Sequence, residues 1–511
     1  MTRSAEQARA APDARQADTA HAAKSGAMQV VTVAAQALTS ATHVLLARLY
    51  GPVVFGSYQA CLAVLEVVTR GGTGGADKGM LRYIAGHRAR GEAHLVQRAL
   101  GTGLRLALGV GGVAALMVIV FAGRIADLWK APQIAIGLRC LAPVTVLTGS
   151  MWVLVQASLA AKTTRANFLV RGLAEPILLL VAGLAAAMVG RTLVYLALGH
   201  LIAAALTLAL AIVVVGRVFG QGELGRALKA PRLPGFTRFA APLGLSELTN
   251  AILQRADILL LTVFVGPRAT AVYAAAEFVT RVIANARYVL DSVAAPMFSE
   301  AIHLHDRQRL HDNLRMMSRW VCLAAAPIAA TAIALRRDLL ALYGPSFAQG
   351  ATALVVLAIG HLVNACLGLS GWILTVSGRS RTLLADNLVA AVLNVTMGLL
   401  LIPRFGLIGT TLAALSSVTL LNLIIIVQVW RSQAVHPFSP ALGKPIVAAA
   451  LALAVELTIA HHVGATAPRI AAMVLAGLAS YLGLCFALGL GPEERRLVAQ
   501  LVTHVRWRSP N

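Results

Sequence analysis

The stretch TLVYLALGHLIAAALTLALAIVVVG (192–216) runs for 25 residues without a Lys, Arg, Asp or Glu. At about 1.5 Å per residue, a helix of that length crosses a hydrocarbon core of about 30 Å. The run is apolar on every side, so as a helix it has no wet face. In lipid, backbone polar groups must be satisfied within the segment itself, which makes a helix the expected form. Similar runs recur along the chain, and the ten-residue alternation of an outer-membrane barrel is missing.

Working outward from this run, the sequence predicts an all-α polytopic membrane protein with about 14 spans. They fall near 28–47, 54–77, 102–123, 139–160, 167–189, 192–216, 237–265, 270–297, 316–335, 350–376, 383–402, 407–430, 445–463 and 468–490. The composition agrees: 58% of residues are hydrophobic and only 13% charged, with a mean hydropathy of +0.75. A soluble chain of 511 residues would need several charged domain surfaces instead. Residues 1–27 read as a disordered cytoplasmic tail, and 491–511 as a second cytoplasmic tail.

The formal charge is +23. The basic residues lie between apolar runs and do not form one surface, so no nucleic-acid partner is expected. With the N-terminus inside, inner segments carry roughly three times the Lys and Arg of outer ones, as the positive-inside rule demands. Both termini are thus expected on the cytoplasmic side. Outer loops are short, which argues against a membrane polymerase or ligase. GGTGGADK (71–78) lacks the spacing of a nucleotide-binding loop, so its glycines are read as a kink or a close helix contact. The five cysteines are scattered and form no CxxC. They are read as packing residues, and no metal or cofactor is expected.

An internal repeat organises the spans. Gly51-Pro52, Tyr58 and Ala60 recur as Gly266-Pro267, Tyr273 and Ala275, all 215 positions later. Arg165 and Gly190 match Arg381 and Gly406 at a shift of 216. A duplicated six-helix unit explains the nearly constant shift. The expected organisation is an N-lobe at 28–216, a cytoplasmic linker at 217–235, a C-lobe at 236–430 and two further spans within 431–490. Parallel repeats of this kind place a substrate site between the halves and rock one against the other.

Ionisable residues inside spans are costly, so they mark a polar interior. Here they cluster in the second, seventh and eighth spans: Glu66 and Arg70; Glu247, Arg255 and Asp257; Glu277, Arg281, Arg287 and Asp291. Glu66/Arg70, Glu277/Arg281 and Arg287/Asp291 are spaced i,i+4 and share a helix face. Each pair is read either as a structural ion pair or as part of a site. In the second case Arg70, Arg255, Arg281 and Arg287 bind an oxyanion, because the guanidinium fork matches phosphate and stays charged. The carboxylates Glu66, Glu247, Asp257, Glu277 and Asp291 are then candidates for H⁺ or Na⁺ coupling.

LYGPVVFGSYQ (49–59), a following apolar helix, Gly79 and RYIAGHRARGE (82–92) resemble the first two helices of bacterial polysaccharide flippases. These are the Wzx-type members of the multidrug/oligosaccharidyl-lipid/polysaccharide exporter superfamily. The match rests on Gly51, Phe55, Gly56, Tyr58, Arg82, Tyr83, Ile84 and Ala85. The resemblance implies two six-helix lobes around a central cationic cavity lined by the first, second, seventh and eighth helices. It implies transfer of an undecaprenyl-pyrophosphate-linked oligosaccharide across the bacterial inner membrane by alternating access. The implied partners are that lipid-linked oligosaccharide, membrane lipids and other polysaccharide-assembly proteins. Two extra C-terminal helices resemble the lipid II flippase branch. The competing expectations are a cation-coupled multidrug antiporter of the same superfamily and a membrane polysaccharide polymerase or ligase.

Overall fold

The computed structural model describes residues 2–220, 222–462 and 467–488. Regular structure among the described residues is helical, with no strand. Helix α1 (Thr2–Gly72) breaks at Gly51, where φ is 77° and ψ is 170°. It is followed by α2 (Ala76–Ala89), α3 (Ala93–Leu128) and α4 (Gln133–Ala160). A π-helical turn (Asn167–Ala174) then leads into α5 (Glu175–Val189), α6 (Leu193–Phe219), the short α7 (Glu223–Lys229) and α8 (Phe236–Phe264). Helices α9 (Pro267–His303), α10 (Arg307–Ala334), α11 (Arg336–Ala341), α12 (Ala351–Leu367), α13 (Ser370–Val376), α14 (Ser380–Gln433), α15 (Pro440–His462) and α16 (Ala467–Ala487) complete the fold.

Among the described residues, ten helices are long and apolar enough to cross a membrane. Two of these, within α1–α2 and α14, each hold a pair of expected spans broken at a glycine, Gly51 and Gly406. The expected seventh and eighth spans fall on α8 and α9, which are not among the ten and which carry the clustered charges. These differences reconcile ten apolar helices with about 14 spans. Large apolar side chains such as Val113, Met188, Val189 and Leu475 stand in the open. A multi-pass protein presents such side chains to lipid.

The repeat read from sequence has structural counterparts. Gly51 and Gly266 both take positive φ, at 77° and 103°, a region open to glycine without a Cβ penalty. The matched Tyr58 and Tyr273 are both fully buried. Helix α1 begins at Thr2, within the tail expected at 1–27. The alanine content of that stretch favours a helix. The tail expected at 491–511 lies outside the described residues.

The chain divides into two compact units, 1–271 and 272–511. The linker expected at 217–235 and helix α8 both fall within the first unit. Part of the reason is that the linker does not hang free. Arg105 Nη1 donates to the carbonyls of Leu228 (2.6 Å) and Ala230 (2.7 Å). Arg98 Nη2 donates to the Arg232 carbonyl (2.8 Å), and the Leu233 amide donates to Thr102 Oγ1 (2.8 Å). Arg105 is thus a staple that holds the linker on α3. Replacing both Arg98 and Arg105 with alanine removes hydrogen bonds worth about 1 kcal/mol each. The expected result is tryptic cleavage after Lys229 or Arg232 about tenfold faster or more. An unchanged cleavage rate contradicts the staple.

In the first unit, Met80, Ile84, Leu100, Val155, Val215 and Phe236 form one buried core. In the second, a core around Phe298, Leu314, Val321 and Leu369 joins α9, α10 and α12. The appended α15 and α16 pack on α10 through Cys322, Ala326, Ala449 and Tyr481, and Tyr481 Oη donates to the Leu323 carbonyl at 2.9 Å. All five cysteines are free thiols, and four of them are buried in packing positions.

Candidate ion-pair sites in each unit

In the first unit, α1 ends near a double-glycine corner, Gly74-Gly75, with φ of 58° and 73°. The corner lets α8 approach closely: a Cβ on Gly75 would fall on the Ala240 carbonyl, and one on Gly244 would lie 2.6 Å from Gly74 C and Gly75 N. The glycines of 71–78 thus serve a kink and a helix contact, as expected. This contact sets the register of α8 against α1 and α2.

That register decides which charges meet. Glu66 and Arg70 do not pair with each other as their i,i+4 spacing had implied. Arg255 Nε and Nη2 instead reach Glu66 Oε2 at 2.7 and 2.6 Å. Arg70 Nη1 lies 3.6 Å from Glu247 Oε2, and Lys78 Nζ lies 3.3 Å from Glu247 Oε1. The physical reason is that α8 offers an opposite charge at each level of α1, so cross-helix pairing replaces pairing along one helix. Asp257 accepts the Ile258 amide at 2.8 Å.

Two residues absent from the sequence expectation complete this group. The Arg70 guanidinium sits 4.6 Å from the centre of the Trp152 ring, and Arg171 approaches the same ring at 5.6 Å. Cation–π contact of this kind orients a guanidinium without neutralising it. Trp152 comes from α4 and Arg171 from the π-helical turn. A tryptophan in an apolar run gives no sequence signal for this role. The π turn that carries Arg171, a feature frequent at functional sites, is visible only in the structure. Arg70, Lys78 and Glu247 together carry one net positive charge. Their side chains are 36%, 39% and 24% exposed.

In the second unit, Arg281 pairs with Glu277 at 2.5 Å and Arg287 with Asp291 at 3.4 Å, both as expected from spacing. Arg287 Nη1 also donates to Asn364 Oδ1 at 3.3 Å, and Asn422 Nδ2 donates to that same oxygen at 3.3 Å. The accessibilities separate the four candidate arginines. Arg70 and Arg281 are 36% and 41% exposed, whereas Arg255 and Arg287 are each 21% exposed. The last two spend their fork on protein acceptors. The candidate coupling carboxylates Glu66, Glu247, Glu277 and Asp291 each face a cation.

Residues 45–351 match the family described as "Polysaccharide biosynthesis protein". The match spans more than half of the sequence. The chain belongs to this family. A curated relative, the probable flippase AglR of Haloferax volcanii, is 26% identical over 254 residues, covering 48% of this chain and 52% of that protein. The alignment thus reaches about half the length of that relative. Among solved structures, the lipid II flippase MurJ in an inward closed conformation aligns with a TM-score of 0.69 at 13% identity, covering 92% of this chain and 99% of MurJ. An inward-facing multidrug resistance MATE transporter of the MOP superfamily aligns at 0.62 and 12%, covering 80% of this chain and 94% of the transporter. At these identities the likeness is one of fold, and this member of the polysaccharide biosynthesis family has the fold of MOP-superfamily transporters.

Proposed function

We propose that this protein is a transporter that moves a polyprenyl-pyrophosphate-linked oligosaccharide across the bacterial inner membrane by alternating access, for surface polysaccharide or lipopolysaccharide assembly. The observation that carries this reading is the shared Glu247 contact of Arg70 and Lys78, which leaves one uncompensated positive charge in a member of this family. A pyrophosphate is doubly matched by such a group. The guanidinium fork supplies parallel donors and the ammonium a mobile point charge. Arg281, the more accessible of the two candidate guanidiniums in the second unit, has the same assignment. Arg255 and Arg287 brace their helices. Exchange at the ion pairs supplies H⁺ or Na⁺ coupling: protonation of Glu66 or Glu277 releases its arginine.

The test is complementation of a strain that lacks its own flippase, with surface glycan as the readout. Arg281→Ala is expected to lower export about tenfold, the scale of one lost charged hydrogen bond. Arg287→Ala is expected to act first on the yield of folded protein, because it strands Asp291 and Asn364. Normal export from Arg70→Ala and Arg281→Ala variants at normal protein levels would refute the assignment. Efflux of cationic drugs with no glycan phenotype would point to the antiporter reading instead.

A further inference from the structure

The docked linker creates a cavity in the first unit that the transport reading does not use. It has a volume of about 520 Å³ and lies between the α2–α3 corner, the end of α6 and α7. That is within the size range of small-molecule sites. Its walls carry two kinds of chemistry. Arg88, His94 and Arg226 are among the lining residues, and so are Val96, Leu100 and Phe219.

The local acids cancel only part of the cationic charge, and Arg88 is left over. Glu223 is taken up by Gln97 Nε2 (2.8 Å) and Arg226 Nη1 (2.9 Å). Glu92, next to the cavity, faces His87 Nδ1 at 2.6 Å and Arg90 Nε at 3.0 Å. The His87 hydrogen bond, followed by Arg90, holds the Glu92 carboxyl below its usual range, so it stays a partner of those two groups. Arg88 has no ion-pair partner among the described residues, and it lies exposed on the cavity wall.

We propose that this cavity binds an anionic phospholipid, with the phosphate at Arg88 and Arg226 and the start of an acyl chain along Val96, Leu100 and Phe219. The apolar wall selects an amphiphile over a free anion. The position at the ends of α3 and α6 places the cavity where headgroups meet hydrocarbon. Basic pockets among membrane helices recognise lipid phosphates by this chemistry. The bound lipid bridges α2, α3, α6 and α7, and so secures the linker that leads into α8. The site stands apart from Arg70 and Glu247 and is independent of which substrate they carry.

The experiment uses the full chain in detergent, titrated with phosphatidylglycerol or phosphatidylcholine and followed by native mass spectrometry and thermal melting. Phosphatidylglycerol is expected to remain bound and to raise the melting temperature, and phosphatidylcholine to do neither. The double variant Arg88→Ala/Arg226→Ala is expected to weaken phosphatidylglycerol binding about tenfold or more. Arg217→Ala/Arg238→Ala, which removes the same charge from exposed positions outside the cavity, is expected to bind as the parent does. Ala93→Trp fills the cavity without changing any charge and is expected to reproduce the loss, which keeps the test open should the double variant fail to fold. Equal losses from the two double variants, parent-like binding by Ala93→Trp, or equal protection by inorganic phosphate would each overturn the proposal.

Discussion

Gly75→Ala is expected to cost roughly 2–5 kcal/mol and to collapse the yield of folded protein. Two independent penalties add. Gly75 holds φ at 73° and ψ at 11°, and a side chain in the left-handed region costs about 1–2 kcal/mol. Its new Cβ would also meet the Ala240 carbonyl and lie 2.7 Å from the Gly244 amide nitrogen. Both are backbone atoms of α8 and cannot swing aside, so overpacking adds about 1–3 kcal/mol. Gly244→Ala isolates the packing penalty, since Gly244 is an ordinary helical position facing the same corner. Gly74→Ala is expected to be milder, because its Cβ would press on the flexible Leu106 side chain at 3.0 Å. Thermal melting with fluorescence-detected gel filtration ranks the three. A Gly75→Ala protein that melts with the parent would mean that α8 does not approach this closely. The consequence also reaches the ion pairs, since any shift of α8 carries Glu247 and Arg255 away from Arg70 and Glu66.

The same crossing explains how far the sequence could be read. The spans were legible because an apolar run of about 20 residues has one stable form in lipid. The corners at Gly51 and Gly266 were legible because the duplication repeats them, and both take positive φ. Glu277/Arg281 and Arg287/Asp291 were legible because i,i+4 spacing alone brings their side chains together. Glu66 and Arg70 have the same spacing, yet each found a better partner on α8. The register of that partner depends on a glycine contact that spacing does not encode. The Arg105 staple was illegible for a related reason. Its acceptors are the carbonyls of Leu228 and Ala230, and backbone acceptors carry no residue signature. Trp152 and Arg171 stayed hidden because a ring–guanidinium contact between distant helices leaves no pattern in either helix.

The second large effect separates a structural ion pair from a substrate contact at Arg70. Arg70→Gln is expected to lower glycan export roughly ten- to hundredfold, the equivalent of about 1.5–3 kcal/mol for a hydrogen bond to a charged group. Glu247→Gln is expected to do less harm to binding, because Arg70 and Lys78 remain. Its effect falls on turnover, since an anion held by two uncompensated cations leaves slowly. The informative case is Arg70→Gln/Glu247→Gln. If the pair only stabilises the helices, removing both charges strands only Lys78, which is exposed enough for water to solvate, and restores export toward the parent level. If Arg70 holds the transported anion, the double variant is no better than Arg70→Gln. Arg70→Lys sharpens the result: it keeps the charge and loses the planar fork and the flat contact with Trp152, so partial export is expected. Export by the double variant at the parent level, with protein levels matched, would reduce Arg70 to a brace and leave Lys78 as the cation to pursue.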